Sequence, residues 1–188
     1  MPAAKKSEGP DSTWSLQKQK DSDLKVHYYW GRVRRYGESY KDFHWPSSEV
    51  ILSLAYAYDT LRVHFARFLN PFGLSLAAFN TLMILESSER HGCKQRDLSK
   101  LLLVSRANIT GLVDSLKRRG LVSRKVDKND RRVFIVKITA KGERLLKALL
   151  PEHYRRINDV TSVLESTEKT ELSSLLGKIR KRIILEKE

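Results

Sequence analysis

Arg106 and Asn108 stand two positions apart in "SRANIT", residues 105–110, with the hydroxyls of Ser105 and Thr110 on either side. A guanidinium can grip the edge of guanine with two hydrogen bonds, and a carboxamide can do the same for adenine. Further along, "DKNDRR", residues 127–132, crowds Lys128, Arg131 and Arg132 around the carboxylate of Asp130. Such a stretch is either ordinary solvated turn surface or a place where something anionic docks. Both groups bind rather than react. The chain has no phosphate-gripping glycine loop and no nucleophile–base arrangement, so neither enzyme activity nor a cofactor is expected. His27, His44, His64, His91 and His153 show no pair at metal-ligand spacing, and no metal site is expected. Cys93 is the single cysteine, which rules out a disulfide within the chain and reads as an inert loop or core thiol.

Charge narrows the choice of partner. The 188 residues carry a formal net charge of +14. Residues 94–144 alone hold 15 Lys and Arg against 5 Asp and Glu, whereas residues 49–93 hold 3 against 4. A localised basic block is an electrostatic footprint, and nucleic acid is the commonest anionic polymer a soluble protein meets. An anionic membrane surface is the rival partner. The longest apolar run, "ILSLAYAY", falls well short of the roughly 18 residues a spanning helix needs. The opening "MPAAKKSEGPDST" has no apolar signal core. A cytoplasmic protein with no membrane partner is the expectation.

The elements that must hold these residues follow from periodicity. Residues 1–25 are polar and read as a disordered tail. Residues 26–47 form an aromatic-rich extension carrying Tyr28, Tyr29, Trp30, Tyr36, Tyr40, Phe43 and Trp45, too many rings for a free tail. From Ser48, Val50 or Ile51, Leu54, Tyr58, Leu61, Phe65 and Phe68 recur at helical spacing and predict one buried stripe ending near Pro71. Ser75 can cap a next helix with Phe79, Leu82 and Met83 inward. "ESSERHGCK", 86–94, reads as a polar linker. A short helix through Leu98, Leu101 and Leu102 then meets a second, capped by Ser105, with Ile109, Leu112, Val113 and Leu116 buried and Gly120 as its stop. Two helices so tightly joined are a helix-turn-helix candidate.

"LVSRKV" and "RVFIVKI" predict a two-stranded ribbon whose inner face is either Val122, Val126, Val133 and Ile135, or the face bearing Phe134, Val136 and Ile138. A long helix is expected over about 141–165, kinked or broken at Pro151, and a last one after Ser166-Thr167 with Leu172, Leu175, Leu176, Ile179, Ile183 and Ile184 in register.

"GLVSRKVDKNDRRVFIVKITAKG", 120–142, resembles the wing signature of the MarR family of transcription regulators, with Asp130, Arg132, Val136, Ile138 (in place of Leu), Thr139 and Gly142 on the motif. "LLLVSRANITGLVDSLKRRGLV" resembles the family's recognition helix, and "FGLSLAAFNTLMIL" the entry to its second helix. The likeness covers about 48–185. It implies a mainly α fold (α+β): a winged helix-turn-helix lobe over 74–144 with a two-stranded β wing, bracketed by dimerisation helices at 48–70 and 145–188.

By this resemblance the partners are double-stranded DNA and a second copy of the chain. The function would be that of a sequence-specific regulator, expected to be a repressor, acting as a homodimer on a pseudo-palindromic operator. Ser105, Arg106, Asn108 and Thr110 would enter the major groove, and the wing residues Lys128, Asp130, Arg131 and Arg132 the minor groove, with Asp130 orienting an arginine. A small aromatic or phenolic effector would sit between the dimer helices and the lobe, beside Tyr56, His64 and Arg67. The alternative is a winged-helix nucleoid or RNA-binding protein that uses charge alone.

Overall fold

The computed structural model describes residues 29–88, 92–102, 105–127 and 129–185. The expected disordered tail, Lys128 and the side chain of Arg106 lie outside them. The chain divides into two compact units, residues 1–64 and 65–188.

In the first unit, α1 (Gly31–Gly37) precedes most of α2 (Trp45–Leu69). The extension's rings gather locally: Trp30 meets Trp45 edge-on with centroids 6.5 Å apart, and Phe43 lies 6.5 Å from Trp45. Arg34 sits 5.6 Å over the Trp45 ring, and the Tyr40 hydroxyl donates to that of Tyr36 at 3.0 Å. The expected buried stripe on α2 is buried only toward its end: Phe68 is buried and Leu54 and Phe65 are half-buried, whereas Val50, Ile51 and Tyr58 are each at least half exposed. Periodicity reports that a face seeks cover, not that its own chain supplies it.

The second unit holds the core. A single turn at Asn70–Phe72 leads to α3 (Leu76–Ser87), which Ser75 caps by accepting from the Ala78 amide at 3.1 Å. After α3 come β1 (Gly92–Lys94), α4 (Gln95–Leu101), α5 (Arg106–Arg118), β2 (Val122–Val126), β3 (Phe134–Ile138), α6 (Ala140–Val160) and α7 (Ser166–Leu185). Leu69, Leu74, Phe79, Leu82, Leu98, Val113, Leu116, Val136 and Leu149 are fully buried. Burying each such side chain contributes about 1.5–3 kcal/mol, so these residues fix how α3 to α6 and the sheet meet.

The ribbon forms as expected, and the register settles which face is inner: Val122 opposes Ile138 and Arg124 opposes Val136, with Val122, Val136 and Ile138 buried. The sheet has a third strand, though, in the order β1-β3-β2. β1 lies in the stretch read as a polar linker, with Cys93 opposite Val136.

One further expectation changes. Pro151 does not end α6, which runs through it and stops at Val160, short of 165. Proline removes one bond, to the Lys147 carbonyl, on a turn where both residues are exposed and water can substitute.

Candidate nucleic-acid interface

α5 begins where the sequence puts a cap. The Ser105 hydroxyl accepts from the Asn108 amide at 3.2 Å, which caps the helix and leaves its O–H donor on an exposed residue. Ile109, Val113 and Leu116 are buried, which leaves Ala107, Asn108, Thr110 and Gly111 on the exposed side. Arg106 occupies the first helical position. Gly120 stops the helix at φ +70, a conformation that favours glycine.

At the wing tip, Asp127 Oδ1 accepts the amides of Asn129 (2.8 Å) and Asp130 (3.3 Å), and Asp130 Oδ1 accepts that of Arg132 at 2.9 Å. This corrects the role expected of Asp130. Among the described residues its carboxylate holds backbone, and no ion pair joins it to the guanidinium of Arg131 or Arg132. The two acids shape the turn that displays the two arginines, both of them exposed. Acids in a basic loop thus have a local reason to be there.

The rest of the signature serves the joint behind the wing. Thr139 Oγ1 donates to the Gly120 carbonyl (2.7 Å) and accepts from the Gly142 amide (3.2 Å). A Cβ on Gly142 would run into the Leu121 carbonyl oxygen, so α6 can pass only with glycine there.

Recognition helix and wing flank one cleft of about 430 Å³, with Gln95, Arg96 and Thr110 on the helical side and Asp130, Arg132 and Phe134 on the wing side. Several residues that hold this geometry were missed in the sequence. Gln95 Nε2 donates to Thr110 Oγ1 at 3.0 Å. Arg124 pairs with Asp114 at 3.0 Å and lies 5.0 Å over the Phe134 ring, tying β2 to α5. Arg119 donates to the carbonyls of Phe72 (2.7 Å) and Gly73, and its own carbonyl accepts from Lys141 at 2.9 Å. Only a spatial neighbour gives these residues a role, so spacing could not have picked them out.

Of the residues expected at an effector pocket, Tyr56 and His64 are half-buried on α2 and Arg67 is exposed on its last turns. A separate hollow of about 310 Å³ lies in the second unit among Phe79, Met83, Ile84, Leu102 and His153. Burial lowers the His153 pKa from the ordinary 6.5. Burial likewise raises that of the Cys93 thiol, which disfavours thiolate chemistry. Among the described residues, no group of three His, Cys, Asp or Glu is placed to hold a metal ion. No single helix there is long and apolar enough to cross a membrane.

The profile of the MarR family matches residues 72–133, which takes in α3, α4, α5, β2 and the stretch up to β3. The transcriptional repressor MprA of Escherichia coli K12 is 34% identical over 111 residues, 59% of this chain and 63% of MprA. The HTH-type transcriptional repressor YetL of Bacillus subtilis 168 is 30% identical over 151 residues, 80% of this chain and 90% of YetL. The chain belongs to the MarR family. This is a family of transcriptional regulators, not of enzymes. Among solved MarR-like structures is Bordetella bronchiseptica BpsR, described for the regulation of its DNA binding by 6-hydroxynicotinic acid. It superposes with a TM-score of 0.64 at 25% identity, covering 70% of this chain and 98% of BpsR.

The MarR lobe accounts for the charge distribution, because the most basic stretch of the chain is the one that builds α4, α5 and the wing. Residues 1–71, the whole aromatic-rich extension among them, lie outside the family profile.

Proposed function

We propose that this protein is a cytoplasmic, sequence-specific DNA-binding repressor that acts as a homodimer. One observation carries the reading: α5 leaves its first turns uncovered beside the exposed Arg131 and Arg132, within the stretch of greatest positive charge. Arg106 and Asn108 supply base-edge hydrogen bonds in the major groove, Thr110 lies beside them, and the wing cations meet phosphates or the narrow minor groove. Ser105 fixes the helix start and has its O–H left to donate to a phosphate.

The homodimer is supported by uncovered apolar side chains: Leu172, Leu175, Ile183 and Ile184 on α7 and Val50, Ile51 and Tyr58 on α2 are all exposed in the single chain. Twofold symmetry then sets two recognition helices roughly 34–36 Å apart, one turn of duplex. Release by a small aromatic or phenolic effector is the regulatory half of the proposal. BpsR, whose DNA binding answers to 6-hydroxynicotinic acid, supports that ligand class. Tyr56, His64 and Arg67 are its candidate contacts, and the hollow beside His153 is another place for it. An effector shifts the equilibrium only if it binds the DNA-free state more tightly.

The test is competition binding on the protein's own upstream DNA, with and without aromatic acids. A repressor prefers its operator over random duplex by roughly a thousandfold or more. Equal binding to both would replace this reading with the charge-only one. Arg131→Ala with Arg132→Ala should weaken operator binding and lower the salt slope by roughly 2, two phosphate contacts' worth.

A further inference from the structure

Thr110 has an exposed side chain whose hydroxyl is already engaged. Gln95, at the start of α4, reaches across 15 residues of sequence and donates Nε2–H to Thr110 Oγ1 at 3.0 Å. The Gln95 side chain cannot easily turn away, because it is half-buried and its Oε1 is enclosed by protein. A β-branched side chain has few staggered choices, so fixing Oγ1 also fixes the γ-methyl. The next residue is Gly111, and nothing lies within 4 Å of where its Cβ would be. The helix therefore offers a methyl group of set orientation beside a clear space, on the surface next to Asn108. The chemical complement of such a surface in the major groove is the C5-methyl of thymine, which only that base carries.

We infer that Thr110 is a specificity-determining residue that selects a thymine in each half-site through methyl–methyl contact, and that Gln95 is the positioning residue that aims it. This rests on the DNA-binding reading above. It goes further by assigning Thr110 an apolar role where a hydroxyl would ordinarily be read as a hydrogen-bonding one.

The experiment uses the full-length protein and its selected operator, with each thymine replaced in turn by deoxyuridine, which removes only the C5-methyl. The wild type should lose about fourfold in affinity at one thymine per half-site, the worth of one buried methyl group. Thr110→Ser keeps the hydroxyl and lacks the methyl, and it should bind the thymine and uracil forms equally. Thr110→Val keeps a methyl and should retain the preference, and Gln95→Leu, which removes the bond to Thr110 Oγ1, should reduce it. The inference is overturned if no thymine position is sensitive, or if Thr110→Ser discriminates as the wild type does. Failure of the wild type to select any operator is a different result, and it would remove the DNA-binding reading itself.

Discussion

His153 lies on α6 with its ring centroid 4.7 Å from that of Phe79 and 5.4 Å from that of Phe65, and its buried Nδ1 has no partner among the described residues. Its folded pKa lies below the 6.5 of the unfolded chain, so between those values the unfolded chain binds the extra proton. Stability from this group is therefore full above about pH 6.5 and falls as the pH drops through the folded value. Melting temperatures followed from neutral into mildly acidic buffer should decline, and His153→Phe should flatten the part of that decline due to this ring. Gly142 makes a second prediction at this scale. Gly142→Ala forces a methyl against the Leu121 carbonyl and should destabilise the protein by about 1–3 kcal/mol in urea unfolding. The signature residues were legible as a pattern, but the reason for each became clear only in space. Thr139, Gly142 and Asp130 proved to be joints of the wing, and only the arginines were left to face outward.

At the scale of elements, the recognition helix is held in its second half and at its exit by single side chains. Asp114 and Arg124 brace it against β2, and Arg119 ties its exit to the turn after α2. Arg119→Met should cost about 1–2 kcal/mol of stability, since two carbonyls lose a charged donor at an exposed site. It should also weaken operator binding more than it alters the salt slope, because the residue positions the helix without touching phosphate. Helices α3, α5 and α6 could be read from their caps and stripes, because Ser75, Ser105 and Thr139 act within three residues of themselves. β1 could not. Three residues of mixed polarity carry no period, and Gly92–Lys94 is a strand only because β3 lies beside it. The break expected at Pro151 did not occur, because the lost bond falls on an exposed turn where water can substitute.

For the whole molecule, the apolar faces of α2 and α7 are the features the isolated chain leaves unresolved. Placing arginine at Leu175 and Ile183 should give a monomer by sedimentation and lower operator affinity sharply, while leaving the winged lobe folded by circular dichroism. Sequence periodicity identified both faces correctly as apolar stripes. It predicted burial for the α2 stripe, and spacing carries no information about which surface does the covering. The extension remains a cluster of rings around Trp45, with Arg34 above it. One consequence concerns Cys93, the single cysteine in the chain. Its thiol is half-buried in β1, on the strand that closes the inner edge of the wing sheet. That half-buried position should slow alkylation, so labelling kinetics report on how accessible the edge is. Bound duplex should slow labelling, and a releasing effector should restore the free rate, with no engineered probe required.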